Sequence, residues 1–140
     1  MNKKVKIVVI ASSLLIFIIA LFSNCYSTDG KDDTVGSFGL IAFLLGWMNA
    51  SETFIVWFAN PLFFLAIILL FLHKTAALIT ASSAFILALS FQFFDEVLIN
   101  EGGTIGKIDS LSIGYWLWLA SIALVLFAAI LNYKTADKIS

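Results

Sequence analysis

Apolar residues fill four stretches, Val5 to Phe22, Phe54 to Leu72, Ala76 to Phe94 and Ser112 to Leu131, and Lys6 is the only charge inside them. Each approaches the ~20 residues that an α-helix needs to cross about 30 Å of hydrocarbon. The pattern predicts an all-α membrane protein with four transmembrane helices.

The run from Phe38 to Lys74 is harder to divide, because Glu52 is its only charge before His73. As one helix, Phe38 to Leu72 would be about 52 Å long, too long for one bilayer and barely enough for two crossings. Lysines decide between one crossing and two, since cytoplasmic flanks collect Lys and Arg. One crossing puts Lys3, Lys4, Lys6, Lys74, Lys134 and Lys138 inside and only Lys31 and Lys107 outside. Two crossings divide the eight lysines evenly. A single crossing with both termini cytoplasmic is the expectation.

Asn49 and Glu52 have the spacing of a capping box, in which a side-chain oxygen and a carboxylate satisfy the orphan amides of a helix start. The second span is therefore expected over residues 50–72, about 34 Å long. Residues 37–48, "SFGLIAFLLGWM", are then apolar but too short to cross, and are expected to lie in the outer interface or to dip in as a re-entrant helix. Between the third and fourth spans, "DEVLINEGGTIGKIDS" holds β-prone runs at Val97 to Asn100 and Thr104 to Ile108. Gly102 and Gly103 between them can take the positive φ of a tight turn. A small extracytoplasmic β-hairpin is expected over residues 96–109, and "SNCYSTDGKDDTVG" either adds a strand or stays irregular. The connection "HKTA" makes the second and third spans antiparallel neighbours, and the tail "NYKTADKIS" is too short to fold alone.

Composition agrees with the pattern: 140 residues, 61% hydrophobic, with 12% charged, where soluble domains carry about 25%. The eight lysines form no basic face, which argues against nucleic-acid binding. Cys25 stands alone, so no intrachain disulfide, cysteine relay or thiolate metal cage can form. Residues 1–25 resemble a signal peptide, but the apolar core is long and "LFSN" lacks a small-x-small ending, so a retained first helix is expected. Asn24 before Cys25 also makes a poor lipoprotein processing site.

Asn60, followed by Pro61, is the most informative polar residue within a span. Pro61 cannot donate to the carbonyl of Trp57 and crowds it, so a kink is expected there. With the second span starting at residue 50, Asn60 falls near its middle, level with Ser12, Ser13, Ser82, Ser83 and Ser121. This polar layer reads either as a site beside an irregular helix or as hydrogen bonds that hold helices together. Small residues Thr80, Ala84 and Ala88, and Gly114, Ser121 and Ala128, form stripes expected to bring the third and fourth spans together or to pair two copies of the chain. Trp47, Trp57, Trp116 and Trp118 all fall near the outer end, as an interfacial belt or as an aromatic pocket for a lipid tail, quinone or cation. Glu52, Asp95, Glu96, Glu101 and Asp109 gather on the same side. Asp95 with Glu96 is the carboxylate pair best placed for a cation or acid/base work, although neighbouring helical side chains point about 100° apart and, as caps and solvated loop charges, the two need no function. His73, the only histidine, reads as a polar helix end.

The segments "GWMNASETFIVWFANPLFFLA", "NEGGTIG" and "GYWLWLAS" resemble a loosely defined group of small four-helix bacterial inner-membrane proteins of unknown function. The resemblance spans roughly Gly46 to Ser121 and implies a fold but no reaction. No cofactor or metal is expected. The expected role is that of a non-enzymatic accessory or structural protein of the inner membrane, in contact with the lipid bilayer and with a protein partner on its extracytoplasmic side. A small oligomeric transporter or channel subunit with a polar site around Asn60 is the alternative. An intramembrane enzyme using Asp95 and Asp109 is a third reading.

Overall fold

The computed structural model describes residues 1–31, 34–48, 52–98 and 102–137, with side chains through Thr135. Four helices are long and apolar enough to cross a membrane: Lys3–Leu21, Phe54–Leu72, Lys74–Phe93 and Ile113–Thr135. The first is α1 (Lys3–Leu21). The second is broken into α3 (Phe54–Trp57) and α4 (Ala59–Leu72). The third is α5 (Lys74–Ser90), continued by a 3-10 turn at Phe91–Phe93. The fourth, α6 (Ile113–Asp137), runs beyond Leu131. The tail expected to be too short to fold alone instead propagates this helix, because adding a residue to an existing helix avoids the cost of nucleation.

The helices close a ring. α1 lies along α6, α6 along α5 and α5 along α4. Phe17 of α1 completes the circuit by stacking on Phe63 of α4, with ring centres 5.2 Å apart. On α5 the buried face is Ala77, Ala81, Ala84 and Ala88, spaced four, three and four residues apart along one helical stripe. Gly114, Ser121 and Ala128 are all buried on α6, as expected for a close-approach stripe, whereas Thr80 is only half-buried.

At one end of the ring, α4 passes into α5 through His73 alone, with an extended φ of −143°. The expected four-residue turn is thus a single residue, and Lys74 already belongs to α5. The carbonyl of Leu70, in the last turn of α4, accepts both Lys6 Nζ at 3.0 Å and Asn132 Nδ2 at 3.2 Å. Such terminal carbonyls lack a partner within their helix and carry the negative end of its dipole, so an ammonium and an amide suit them. One acceptor thereby ties three helices.

The other end carries a three-stranded antiparallel sheet of order β1-β3-β2, from β1 (Tyr26–Thr28), β2 (Glu96–Leu98) and β3 (Ile105–Leu111). β2 and β3 form the expected hairpin, and the loop after α1 supplies the third strand. β3 continues to Leu111 because β1 gives its far half a partner, Tyr26 opposite Leu111. Gly103 takes the positive φ of a tight turn, +81°.

The short apolar segment forms α2 (Gly39–Leu45), flanked by 3-10 turns at Val35–Ser37 and Gly46–Met48. The loop at residues 23–25 joins it to the ring: Gly39 N donates to Ser23 O and Cys25 N to Ser37 O. The same loop receives α6, through Ser112 N to Cys25 O and Gly114 N to Asn24 O. Gly39 and Gly114 are required there. A Cβ on Gly39 would collide with the carbonyl of Ala20, and one on Gly114 would lie 2.6 Å from that of Asn24.

The helix break expected at Pro61 is present at Phe58, where Pro61 leaves the carbonyl of Trp57 without its usual donor. The second helix is described from Phe54, so Asn60 lies about 9 Å inside its start, nearer the sheet end than the expected middle. The proposed cap Asn49, with Ala50, Asp32, Asp33, Asn100, Glu101 and Lys138, lies outside the described residues, as does the side chain of Asp137.

Candidate functional site

Where the sheet sits on the ring, the helices border a half-open chamber of about 890 Å³. Phe17, Ala20 and Leu21 of α1 and Val56 and Trp57 of α3 form its walls, with Tyr115 and Trp118 of α6 opposite. α2 closes one side through Gly39, Ile41, Ala42, Phe43 and Leu45, and Val97, Leu98 and Ile105 of the sheet line the top. No charged side chain is among the described residues that line it. Its volume is in the range of cavities that hold small molecules, and such cavities are mostly apolar with a few placed polar groups.

Two of its polar groups, Asn60 and Trp118, meet at the floor. Trp118 Nε1 donates to Asn60 Oδ1 at 2.9 Å. Ser121 Oγ donates to the carbonyl of Trp118 at 2.6 Å, and Ser13 Oγ to that of Ser121 at 2.7 Å. Asn60, Ser121 and Ser13 thus belong to one chain of bonds across α4, α6 and α1. Trp118, which the sequence leaves between a belt and a pocket, is its centre. Above it, Tyr115 OH donates to the carbonyl of Ala88 at 3.1 Å, and the ring packs between Phe91 and Trp118.

The other expected members of the polar layer do not join. Ser83 Oγ bonds to Ile79 O one turn back on its own helix, the local bond a helical serine makes most readily. Ser12 is exposed on the ring's exterior. Pro61 is also exposed; its part is to break the helix, turning Asn60 and Trp57 toward the chamber.

The tryptophans divide. Trp47 and Trp116 are 56% and 47% exposed, as belt residues would be. Trp57 turns inward from α3, and its Nε1 donates to the carbonyl of Phe43 at 2.7 Å, fastening α2 to the second helix. Gly46 permits this fit, since a Cβ there would lie 2.8 Å from the Trp57 ring.

The carboxylates do not converge. Glu52, Asp95, Glu96 and Asp109 are all exposed, and among the described residues no three His, Cys, Asp or Glu side chains form a metal-holding group. Asp95 and Glu96 follow the end of the third helix in extended chain. Glu96 opens β2 opposite Lys107, and the carbonyl of Asp95 extends the same ladder by accepting from Ile108 N at 2.8 Å. Successive side chains along extended chain point to opposite faces, so the pair separates. Asp109 accepts from Gly30 N and steadies the turn after β1. Burial raises the Cys25 thiol from 9.0 to about 12, which keeps it protonated.

No protein-family model, curated protein or solved structure matches the chain, so the chamber and its floor stand on geometry alone.

Proposed function

We propose that this chain is a non-enzymatic accessory protein of the bacterial inner membrane that works by binding at its sheet end, which faces away from the cytoplasm. The carrying observation is the chamber of about 890 Å³ where the short helix, the sheet and both inward tryptophans meet. Charge supports the orientation. Lys3, Lys4, Lys6, Lys74 and Lys134 sit at the His73 end, against Lys31 and Lys107 at the sheet end. The described carboxylates, Asp29, Glu52, Asp95, Glu96 and Asp109, all sit at the sheet end. In this reading, α2 lies at the outer interface, and a partner engages the exposed rim around the sheet.

Isolation in mild detergent should return a partner at fixed stoichiometry, and Phe93→Ser, at an 82% exposed position on that rim, should release it. Repeated recovery as a lone monomer refutes the accessory role. In a Cys25→Ser background, Lys107→Cys should label from outside intact cells and Thr75→Cys should not; the reverse pattern inverts the orientation. The transporter reading draws on Asn60, but its side-chain oxygen is held by Trp118. That engagement favours packing over a conduction path.

A further inference from the structure

We infer that the chamber binds a long aliphatic chain, the acyl chain of a membrane lipid or of a free fatty acid, admitted sideways between α2 and α3. The inference rests on the proposed role of the sheet end and names the chemistry of what that end holds.

A second hollow, of about 500 Å³, lies beside the chamber and is lined by Phe43, Leu44, Trp47, Phe54, Trp57 and Phe58. Phe43 and Trp57 line both spaces, so these two residues are the partition between them. Leu44, Trp47, Phe54 and Phe58 are exposed on the ring's exterior, where hydrocarbon would lie if the four helices span a bilayer. The partition is made of side chains, and the single bond from Trp57 Nε1 to the Phe43 carbonyl is its latch. Rotation of Trp57 would join the two hollows into one passage from the lipid side to the chamber.

The lining selects the ligand. A charged or strongly polar head would lose its hydration inside without a charged partner among the described residues. Asn60 and Trp118, the polar pair at the floor, are already bonded to each other. An alkyl chain needs no such partner, and apolar cavities exclude water and accept apolar guests. The chamber also has depth, from Ile105 on the sheet down to Phe17 and Asn60, more than a helical turn below the start of α3. That shape suits a chain whose head stays at the surface.

Tryptophan quenching tests this directly. In a Trp47→Phe, Trp116→Phe background, only Trp57 and Trp118 report, and both line the chamber. Dibrominated stearate added to protein in phosphatidylcholine vesicles should quench them saturably, and Ala42→Phe, whose ring takes up part of the chamber, should weaken the saturable component. If vesicle lipid is the occupant, dibrominated phosphatidylcholine should quench the parent more than Ala42→Phe, with added stearate having little effect. Quenching that is linear in bromine and equal in both proteins overturns the inference. Should Ala42→Phe fail to fold, a diazirine fatty acid can be photolysed on the unaltered chain. Adducts within residues 39–46 and 54–60 sustain the inference, and adducts confined to exterior residues such as Ile68, Ile79 and Ile86 overturn it. Partner capture through Phe93 is read independently, so a failed quench with an intact partner removes the acyl ligand and leaves the accessory role standing.

Discussion

At the His73 end of the ring, Ala77, Ala81, Ala128 and Ala129 are buried around Leu70, whose carbonyl is clamped by Lys6 and Asn132. At the sheet end large aromatics, Tyr26, Phe91 and Tyr115, are buried among the smaller residues, and beside them lies the chamber. Small residues let helix backbones approach and fill space completely. Large aromatics hold helices apart, and in a ring that also has to receive a short helix and a sheet they leave a void. The contrast separates an end built for cohesion from one built for occupancy.

The start of α6, at the sheet end, is the place to break this arrangement with one small side chain. Gly114 begins α6 against the carbonyls of Asn24 and Ser23, 2.6 and 2.9 Å from where a Cβ would lie. Backbone cannot rotate away as a side chain can, so Gly114→Val should cost about 3 kcal/mol, the upper part of the overpacking range. Reversible unfolding in mixed micelles measures it. A melting point within a degree of the parent would mean that the loop and α6 are not in contact.

The next effect compares the ends themselves. Ala77→Leu, at the His73 end of the buried stripe of α5, should cost about 2 kcal/mol by overpacking. Ala42→Leu, whose side chain enters the chamber, should change stability by less than about 0.5 kcal/mol, because the added methyls meet space. Equal losses in both variants would show that the sheet end is as closely packed as the other.

Much of this contrast was legible in the order of residues, and the exceptions have physical causes. Lysine placement and the length of Phe38 to Leu72 divided the ambiguous run correctly into a short helix and one long enough to span, since hydrocarbon thickness sets a hard length. The hairpin followed from β-branched runs around Gly103. Hidden were relations between residues far apart in sequence. Trp118 and Trp116 are two residues apart with the same side chain, yet one bonds Asn60 and the other lies exposed. Only the roughly 100° turn per helical residue, combined with knowledge of which face meets α4, tells them apart. Asn132 and Lys6 were missed as a clamp for the same reason. The gathering of carboxylates near one end was legible, but not the extended chain that turns Asp95 and Glu96 apart.

A smaller effect tests whether the chamber floor is cohesive, as the bonded end is, or open for use. Trp118→Phe removes the donor to Asn60, and Asn60→Leu removes the acceptor. In a double-mutant cycle the pair should couple by about 0.6 kcal/mol, the average for such bonds between membrane helices. No coupling would mean that the bond is dispensable, and Asn60 would then be free to meet a ligand.

The weakest effect is absent at neutral pH and emerges only in alkali. Burial holds the Cys25 thiol at about 12 against 9.0 for an exposed one, and burial also raises Tyr26 beside it, with the Cys25 charge adding to that rise. In both, the protonated form is the one the fold accommodates. Their contribution is therefore fully present below the unfolded values, and it falls as pH climbs from about 9 through the folded value of Cys25, because the unfolded chain releases protons first. Stability should be flat from pH 6 to 8 and decline above about pH 9, and Cys25→Ala should soften that decline without removing the part due to Tyr26. Maleimide, which needs thiolate, should label Cys25 at pH 8 slowly in the folded chain and quickly after unfolding. Fast labelling of folded protein would place this thiol in water, and with it the loop at residues 23–25 on which α1, α2 and α6 converge.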